Sequence, residues 1–264
     1  MTPAAPSRVE DSLAKNKPWI FLSPHLDDAV LSCGALIEAV AGTRDVVVAT
    51  IFTESDVEPH TRAARSFLRQ CSNHRADSLF AARRQEDADV LEAVGVRYLH
   101  LGETDALFRR RERLLSGAAA LGRLIPEVVH RYPSYRFDIA LGRISRGDRS
   151  LISQLRAKVA GLMELHGAEL LFCPVGVGRH VDHLITRMMG ESFPDQAVYY
   201  SDFPYDQQQG PDPAFLKKHA LKRWLWEDQL VGKQRWVRQY ATQADALFPD
   251  GHIPVAPEIY YVPA

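Results

Sequence analysis

Cysteine is scarce: Cys33, Cys71 and Cys173 are the only three in 264 residues. Their number is odd, their spacing is wide, and no CxxC pair occurs. That argues against a disulfide framework and a thiolate zinc site, and leaves reduced, mostly buried thiols. Long apolar runs are also missing, so no membrane-spanning helix and no stable membrane insertion are expected. An excess of one charge is missing too: the formal net charge is −1, which gives no sign of a nucleic-acid partner or of an anionic membrane surface. The opening stretch "MTPAAPSRVEDSLAKNK" lacks an apolar segment, so it is not expected to be a secretory signal. Residues 1–17 are expected to form a flexible N-terminal arm, and a cytoplasmic setting is the default. Nothing in the sequence fixes the oligomeric state, and a homo-oligomer is compatible with it.

Hydrophobic residues make up 46 % and charged residues 25 %, the balance of a soluble globular chain long enough to bury a sizeable core. Short apolar or β-branched runs alternate with segments of helical spacing. "WIFLS" (19–23), "DVVVATIFT" (45–53), "VRYLHLG" (96–102), "FDIALG" (137–142), "AELLFCPVG" (168–176), "AVYYSDF" (197–203) and "EIYYVP" (258–263) read as strands. Helices are expected after Asp27, over 78–95, 112–131 and 150–167, from about His180, and through most of 214–247. Residues 54–75 read as irregular with some helix. The alternation predicts an α/β, single-domain Rossmann-like layered fold: a mostly parallel sheet flanked by helices on both faces.

In such a sheet the ligand crevice lies beyond the carboxyl ends of the strands. Two loops there are dense in polar chemistry, "SPHLDD" after strand 19–23 and "PVGVGRHVDH" after strand 168–176. Buried charge is costly unless paired or bound to a metal. His25, Asp28 and His183 form an imidazole–carboxylate set that suits zinc, three protein ligands with one position open for water. Fe2+ or Co2+ fits the same N₂O donors. Asp27 then stands free beside the ion, and His180 lies one helical turn before His183. The alternative for "PHLDD" alone is a turn in which Asp27 or Asp28 caps the next helix. Asp182 reads either as a partner that orients and charges His180 or as an acid in the first turn of a helix. The turn after the first strand carries no G-x-G-x-x-G, so a dinucleotide is not expected there. No G-x-S-x-G elbow accompanies Ser23 or Ser32, so a serine nucleophile is not expected either.

"PHLDD" followed much later by "GRHVDH" resembles the LmbE/PIG-L family of zinc-dependent N-acetylglucosaminyl (amino-sugar) deacetylases. "RRQEDADVLEAVGVRYLHLGETD", "VYYSDFPY" and "KQRWVRQYATQADALF" resemble further family segments in the right order. The similarity runs from about residue 18 to 250, so residues 18–264 are expected to form one deacetylase-like domain. "PHLDDAVLS" is similar to the branch that acts on glycosylated or aminoglycoside natural products. The resemblance implies Zn2+ held by His25, Asp28 and His183, Asp27 as general base, and His180 stabilising the oxyanion or protonating the amine. It also implies that Arg83 and Asp105 position the substrate, an N-acylated sugar or glycosylated small molecule. In one departure, Gly178 stands where some members carry a Tyr that polarises the amide carbonyl. The rival readings are a metal-dependent hydrolase of another amide or carbamoyl bond, and a non-catalytic carbohydrate- or nucleotide-binding protein. The presence of both Asp27 and His180 speaks against the latter.

Other features read as surface or packing. Arg62, Arg65, Arg69 and Arg75, with His74 and the later Arg143, Arg146 and Arg149, suit either an anionic substrate or ordinary solvated surface. Trp224, Leu225, Leu230 and Val237 suit packing on the core better than a membrane-surface helix. His60, His74, His100, His130, His166, His219 and His252 read as surface or satisfied interior residues.

Overall fold

The computed structural model describes residues 8–112, 118–134, 137–138 and 141–263. Seven strands form one sheet: β1 (Trp19–Ser23), β2 (Val46–Glu54), β3 (Arg97–Thr104), β4 (Leu170–Pro174), β5 (Ala197–Tyr200), β6 (Leu221–Trp226) and β7 (Glu258–Pro263), in the order β3-β2-β1-β4-β5-β7-β6. The strands from β3 to β5 pair in parallel, and β7 and β6 close one edge antiparallel. The single-domain, mostly parallel α/β architecture expected from the alternation is the one observed.

Every residue of β1 and of β4 is buried. That is why both read as continuous apolar runs rather than alternating ones: each is covered on both faces. One face of the sheet is filled by Ile20, Leu22, Val47, Leu171 and Val181 among others. The other is filled by Trp19, Phe21, Phe172 and Leu36, with the Phe21 and Phe172 rings stacked at 4.1 Å.

Helix α1 (Arg8–Leu13) comes before β1; α2 (Asp28–Ala41), α3 (Arg62–Gln70) and α4 (Ala76–Val94) separate the first three strands. Then come α5 (Ala118–Leu124), α6 (Arg149–His166), α7 (Val181–Gly190), α8 (Pro213–Lys218), α9 (Leu230–Val237) and α10 (Ala241–Leu247). Helix α2 buries Val30, Leu31, Ala35, Leu36 and Val40 together with most of its remaining length, because α9 packs across its outer side.

The order of strands reverses between β1 and β4. The chain leaves β1 toward β2 on one side and β4 toward β5 on the other, which opens a crevice at their carboxyl ends. The loops 24–27 and 175–180 both empty into it, although about 150 residues separate them.

Four expectations fail. Residues 8–13, part of the stretch expected as a loose arm, form α1, whose Val9 and Ser12 are buried and whose Ser12 hydroxyl accepts from Trp19 Nε1 at 2.9 Å. A single buried Val in a polar stretch gives too little periodicity to be seen. Residues 221–226, expected within a helix, form β6 against β7; an edge strand half open to solvent takes charged residues as readily as a helix does. Of the strand expected over 137–142, Phe137, Asp138 and Leu141 are helical, while 139 and 140 lie outside the described residues. Period alone does not separate so short an apolar run from a helical turn. The helix expected over 112–131 reduces, among the described residues, to α5 and a 3-10 turn at Pro126–Val128; Pro126 starts that turn because its missing N–H costs nothing there. Trp224 packs on Tyr260 with ring centroids 5.4 Å apart, and Trp236 and Val237 are buried, so the late aromatics serve packing. Among the described residues no helix is long and apolar enough to cross a membrane.

Candidate metal centre and active site

The β1–α2 junction is built around Ser23. Its hydroxyl donates to the His25 carbonyl at 2.6 Å and accepts from Ala29 N–H at 3.0 Å. Ser23 therefore satisfies an orphan donor of α2, and it is engaged structurally rather than poised as a nucleophile. Asp27 precedes α2 and makes no side-chain cap hydrogen bond. The capping alternative for Asp27 therefore fails, and its carboxylate is free to turn into the crevice. Asp28 uses Oδ2 to accept from His25 N–H at 2.9 Å.

That same oxygen lies 3.1 Å from His25 Nδ1 and 3.3 Å from His183 Nε2. His25, Asp28 and His183 are all buried. The expected triad thus converges on one carboxylate oxygen shared by two imidazoles. His180 joins them: single ligand atoms of His25, His180 and His183 lie within 4.8 Å of one another. His25 and His180 meet edge to face at 4.9 Å between centroids.

Each imidazole is held from behind. His183 Nδ1 lies 2.6 Å from Asp202 Oδ1, which fixes a proton on Nδ1 and turns Nε2 toward Asp28. Asp202 Oδ2 accepts from Gly176 and Val177 N–H, both at 2.8 Å. One carboxylate thereby orients a histidine and folds the loop that leads to it. That loop turns through Gly176 (φ 81°) and Gly178 (φ 79°), conformations that side-chain-bearing residues rarely adopt.

His25 Nε2 faces Asp182 Oδ2 at 3.3 Å and Asp105 Oδ2 at 3.5 Å. Asp182, fully buried, also accepts from Ala106 N–H at 2.8 Å and from Arg109 Nη2 at 2.6 Å. Arg109 in turn donates to Thr104 O through Nε and Nη2 and to Asp148 at 3.2 Å. Tyr132 and Arg131 complete the surroundings of Asp148. Of the two sequence readings of Asp182, an acid in the first turn of a helix is the one observed; its carboxylate does not charge and orient His180. Instead the carboxylate serves His25, and it is the Asp182 backbone N–H that donates to His180 Nδ1 at 3.2 Å. At the start of α7 the first turn has unpaired N–H groups, and His180 is the residue placed to accept one.

The electrostatics follow from burial and these pairings. Burial lowers the pKa of His25, but the hydrogen bonds to Asp182 and Asp28 and the charge of Asp105 outweigh it, and the group rises to about 9. His183 is raised as well: burial opposes it, while Asp28 and Asp202 prevail. Asp28 is held well below the carboxylate range by His183 and His25 in spite of burial. His180 goes the other way: burial first, then the charge of His25, keeps it neutral far below its ordinary value. The imidazolium expected at His180 is therefore a neutral ring, with Nδ1 accepting and Nε2 carrying the proton. A low pKa is the expectation for Asp27 beside a dication. Without one, burial raises it to about 7 against the pull of Arg83, and the charge of Asp28 adds to the rise.

Arg83, on α4, is buried and brings Nη2 to 3.5 Å from Asp27 Oδ1; its Nε has no hydrogen-bond partner. Asp105 follows β3 and accepts from Leu107 N–H at 2.7 Å. Both line a cavity of about 370 Å³ together with His25, Asp27, Asp28, His180 and His183. Phe67, Leu31, Leu247 and Tyr205 also line it. Residues Arg62, Arg65 and Arg69 lie exposed on α3 beside its cavity-facing Ser66 and Phe67. Glu127 accepts from Arg62 N–H and Asp77 pairs with Arg75, so this patch is less uniformly basic than its sequence.

Seven of the eight expected site residues thus line one cavity, and the eighth, Asp182, is buried beside His25. Asp202 and Arg109 were missed. Asp202 ends a strand whose reading was dominated by its aromatic residues, and Arg109 sits in an irregular segment. A carboxylate at the mouth of a neighbouring parallel strand was the available signal for Asp202; no sequence signal marks Arg109.

The residues suit a divalent cation. Two imidazoles and a carboxylate converge, and carboxylates stand behind both rings, the arrangement by which proteins hold Zn2+ and similar ions.

Over 195 residues the chain is 26 % identical to a 2'-N-acetylparomamine deacetylase of Streptomyces fradiae, covering 72 % of this chain and 58 % of that protein. The structure superposes on the zinc-inhibited form of the teicoplanin deacetylase Orf2 with a TM-score of 0.67, 18 % identity, and coverage of 93 % of this chain and 97 % of the other. It superposes on the A40926 pseudoaglycone deacetylase Dbv21 with a TM-score of 0.64 and 21 % identity over 94 % and 97 % of the two chains. At these identities the superpositions show the fold. The family described as PIG-L, GlcNAc-PI de-N-acetylase, matches residues 20–193, a span that holds both polar loops and the sheet edge between them. The chain belongs to the PIG-L family.

Proposed function

We propose that this protein is a zinc-dependent hydrolase that removes an acetyl group from the nitrogen of an amino sugar in a glycosylated small molecule, as in natural-product biosynthesis. The sugar-directed part of this reading is supported by the deacetylase relatives, one acting on an N-acetylated paromamine. The observation that carries the hydrolytic part is Asp27: a buried carboxylate that caps nothing, lines the cavity and adjoins the converging His25, Asp28 and His183. Pure binding has no need of such a group.

In this reading His25, Asp28 and His183 hold the metal, with zinc the first choice and Fe2+ or Co2+ fitting the same donors. A bound dication lowers the pKa of water from about 15.7 toward about 7 and polarises a carbonyl oxygen. Asp27 takes the proton from the attacking water. With its pKa near 7 in the metal-free protein and lower beside a cation, it is ionised at neutral pH and ready to accept. Arg83 steadies that anion. His180 presents neutral Nε2–H to the oxygen that gains charge as the amide carbon becomes tetrahedral. Asp27 then returns its proton to the departing nitrogen, so one carboxylate serves both steps and the site is restored. Asp105 holds His25 and, with Arg83, borders the space where sugar hydroxyls would lie. Such a reaction goes with a cytoplasmic, reduced protein, and the three thiols are unpaired.

The test is primary amine released from a panel of N-acetyl amino sugars, carbamoyl sugars and simple amides, by protein stripped with a chelator and reloaded with Zn2+ or Co2+. Release from the N-acetyl sugars by the reloaded protein alone is the expected result. Turnover in chelator, or of carbamoyl substrates only, overturns the proposal.

A further inference from the structure

Of the hydroxyl-bearing side chains that line the cavity, Ser66 and Tyr205, only Tyr205 stands at the metal-site end. Its ring meets His183 edge-on, with centroids 6.4 Å apart and planes at 84°, and its hydroxyl is near enough to feel the charges of Asp28 and Asp27. It opens a short 3-10 turn, Tyr205–Gln207, three residues after Asp202. Asp206 N–H donates to Asp202 O at 3.1 Å. The residue that orients His183 thus also anchors the turn that carries Tyr205.

Across from it, Gly178 contributes no side chain. A Cβ at that position would come within 3.9 Å of Tyr205 Cβ and Cγ, and within 3.4 Å of Gln209 Nε2. With φ at 79° the position is closed to ordinary side chains. The loop before His180 therefore leaves room, and Tyr205 reaches in from a different strand end to fill it.

The chemistry asks for what this ring offers. An oxygen that gains charge in a tetrahedral species needs more than one aimed donor, and His180, whose Nδ1 accepts from Asp182 N–H, offers it Nε2–H alone. A phenol ionises near 10 and donates at neutral pH.

We infer that Tyr205 is a catalytic residue: its hydroxyl donates to the acyl oxygen of the bound amide, working beside His180 Nε2–H. The inference deepens the deacetylase reading and rests on it for the word amide, though the contact with an acyl oxygen is separable. Tyr205, at 44 % exposure, is the donor that reaches the oxygen from the solvent side, while His180 reaches it from the protein side.

The experiment uses Tyr205→Phe, which keeps the ring and removes only the hydroxyl. Two readouts are taken on cobalt-loaded protein: kcat and KM for the N-acetyl amino sugar that wild type turns over best, and the Kd of acetate from changes in the cobalt visible spectrum. Loss of the donor should lower kcat on the order of 10²-fold with metal content unchanged, and move KM by less than about threefold, since the contact tightens in the transition state. Acetate, whose oxygen takes the same place, should bind roughly tenfold more weakly, the loss of one hydrogen bond to a charged group. Unchanged kcat together with unchanged acetate affinity overturns the inference, as does a wild type that binds no acetate. If wild type deacetylates no sugar but Tyr205→Phe still weakens acetate, the substrate reading fails while the acyl-oxygen contact stands.

Discussion

Replacing Asp202 by Asn tests how the proposed metal centre is oriented. Asp202 does two things at once: Oδ1 accepts from His183 Nδ1–H at 2.6 Å, and Oδ2 accepts from Gly176 and Val177 N–H at 2.8 Å. Both faces of the carboxylate accept. An amide has one accepting face and one donating face, so the asparagine side chain has to fail one partner. If its oxygen keeps the loop, its NH₂ points at His183 Nδ1 and forces the proton to Nε2, where the lone pair for the cation is needed. If its oxygen keeps His183, two buried N–H groups face a donor, at about 1–3 kcal/mol for each left unsatisfied. The first arrangement costs less in folding and more in function. Loss of a carboxylate behind a ligating histidine lowers metal affinity by about 10–100-fold, or about 1.4–2.8 kcal/mol. Competition against a chromophoric chelator reads this directly on the stripped protein. Asp202→Asn with a Zn2+ affinity within twofold of wild type would refute the reasoning, and so would a loss equal to that of His183→Ala, which would mean that the histidine no longer binds at all.

Three further outcomes follow from the same geometry. Asp27→Ala should keep its full complement of zinc by elemental analysis while amine release falls by about 10²–10⁴; full turnover at saturating zinc would remove Asp27 from the chemistry. Arg109→Met leaves the buried Asp182 with His25 as its one remaining cationic partner, which should cost up to about 3–5 kcal/mol and lower the melting temperature by roughly 6–20 °C in a chain of this size; a change under about 2 °C would show that His25 alone balances Asp182. In the metal-free protein His25 is raised to about 9, so its contribution to stability is complete below about 6.5 and is lost as pH rises through 9. With His183 raised as well, metal uptake at pH 7 must displace protons. Calorimetry of Zn2+ binding in buffers of different ionisation enthalpy should show net proton release, and affinity should climb from pH 6 to 8; uptake without release would mean that neither ring was protonated.

How much of this was legible in the sequence differs from residue to residue. β1 and β4 announced themselves because strands buried on both faces leave uninterrupted apolar runs, and the loops after them stood out because His and Asp are costly at such places. The pairing of those two loops followed from parallel topology alone. β6 did not show, since "LKRWLW" lies at a sheet edge where packing, absent from the sequence, decides its conformation. Of the two readings of Asp182, the acid in the first turn of a helix holds, while the pairing with its near neighbour His180 does not, because its carboxylate reaches His25 across 157 positions. Arg109 was invisible for the same reason: its partners come from two other segments. Local spacing discloses which groups point one way along a helix, not which distant charge meets them.

Asp28 Oδ2 gathers three nitrogens: the backbone of His25, its ring, and the ring of His183. Both rings are also clamped on their far sides. The proposed ligand set is therefore assembled by the polypeptide itself before any ion arrives. Chelation should silence such a protein without unfolding it, and reloading should be as fast as two protons can leave.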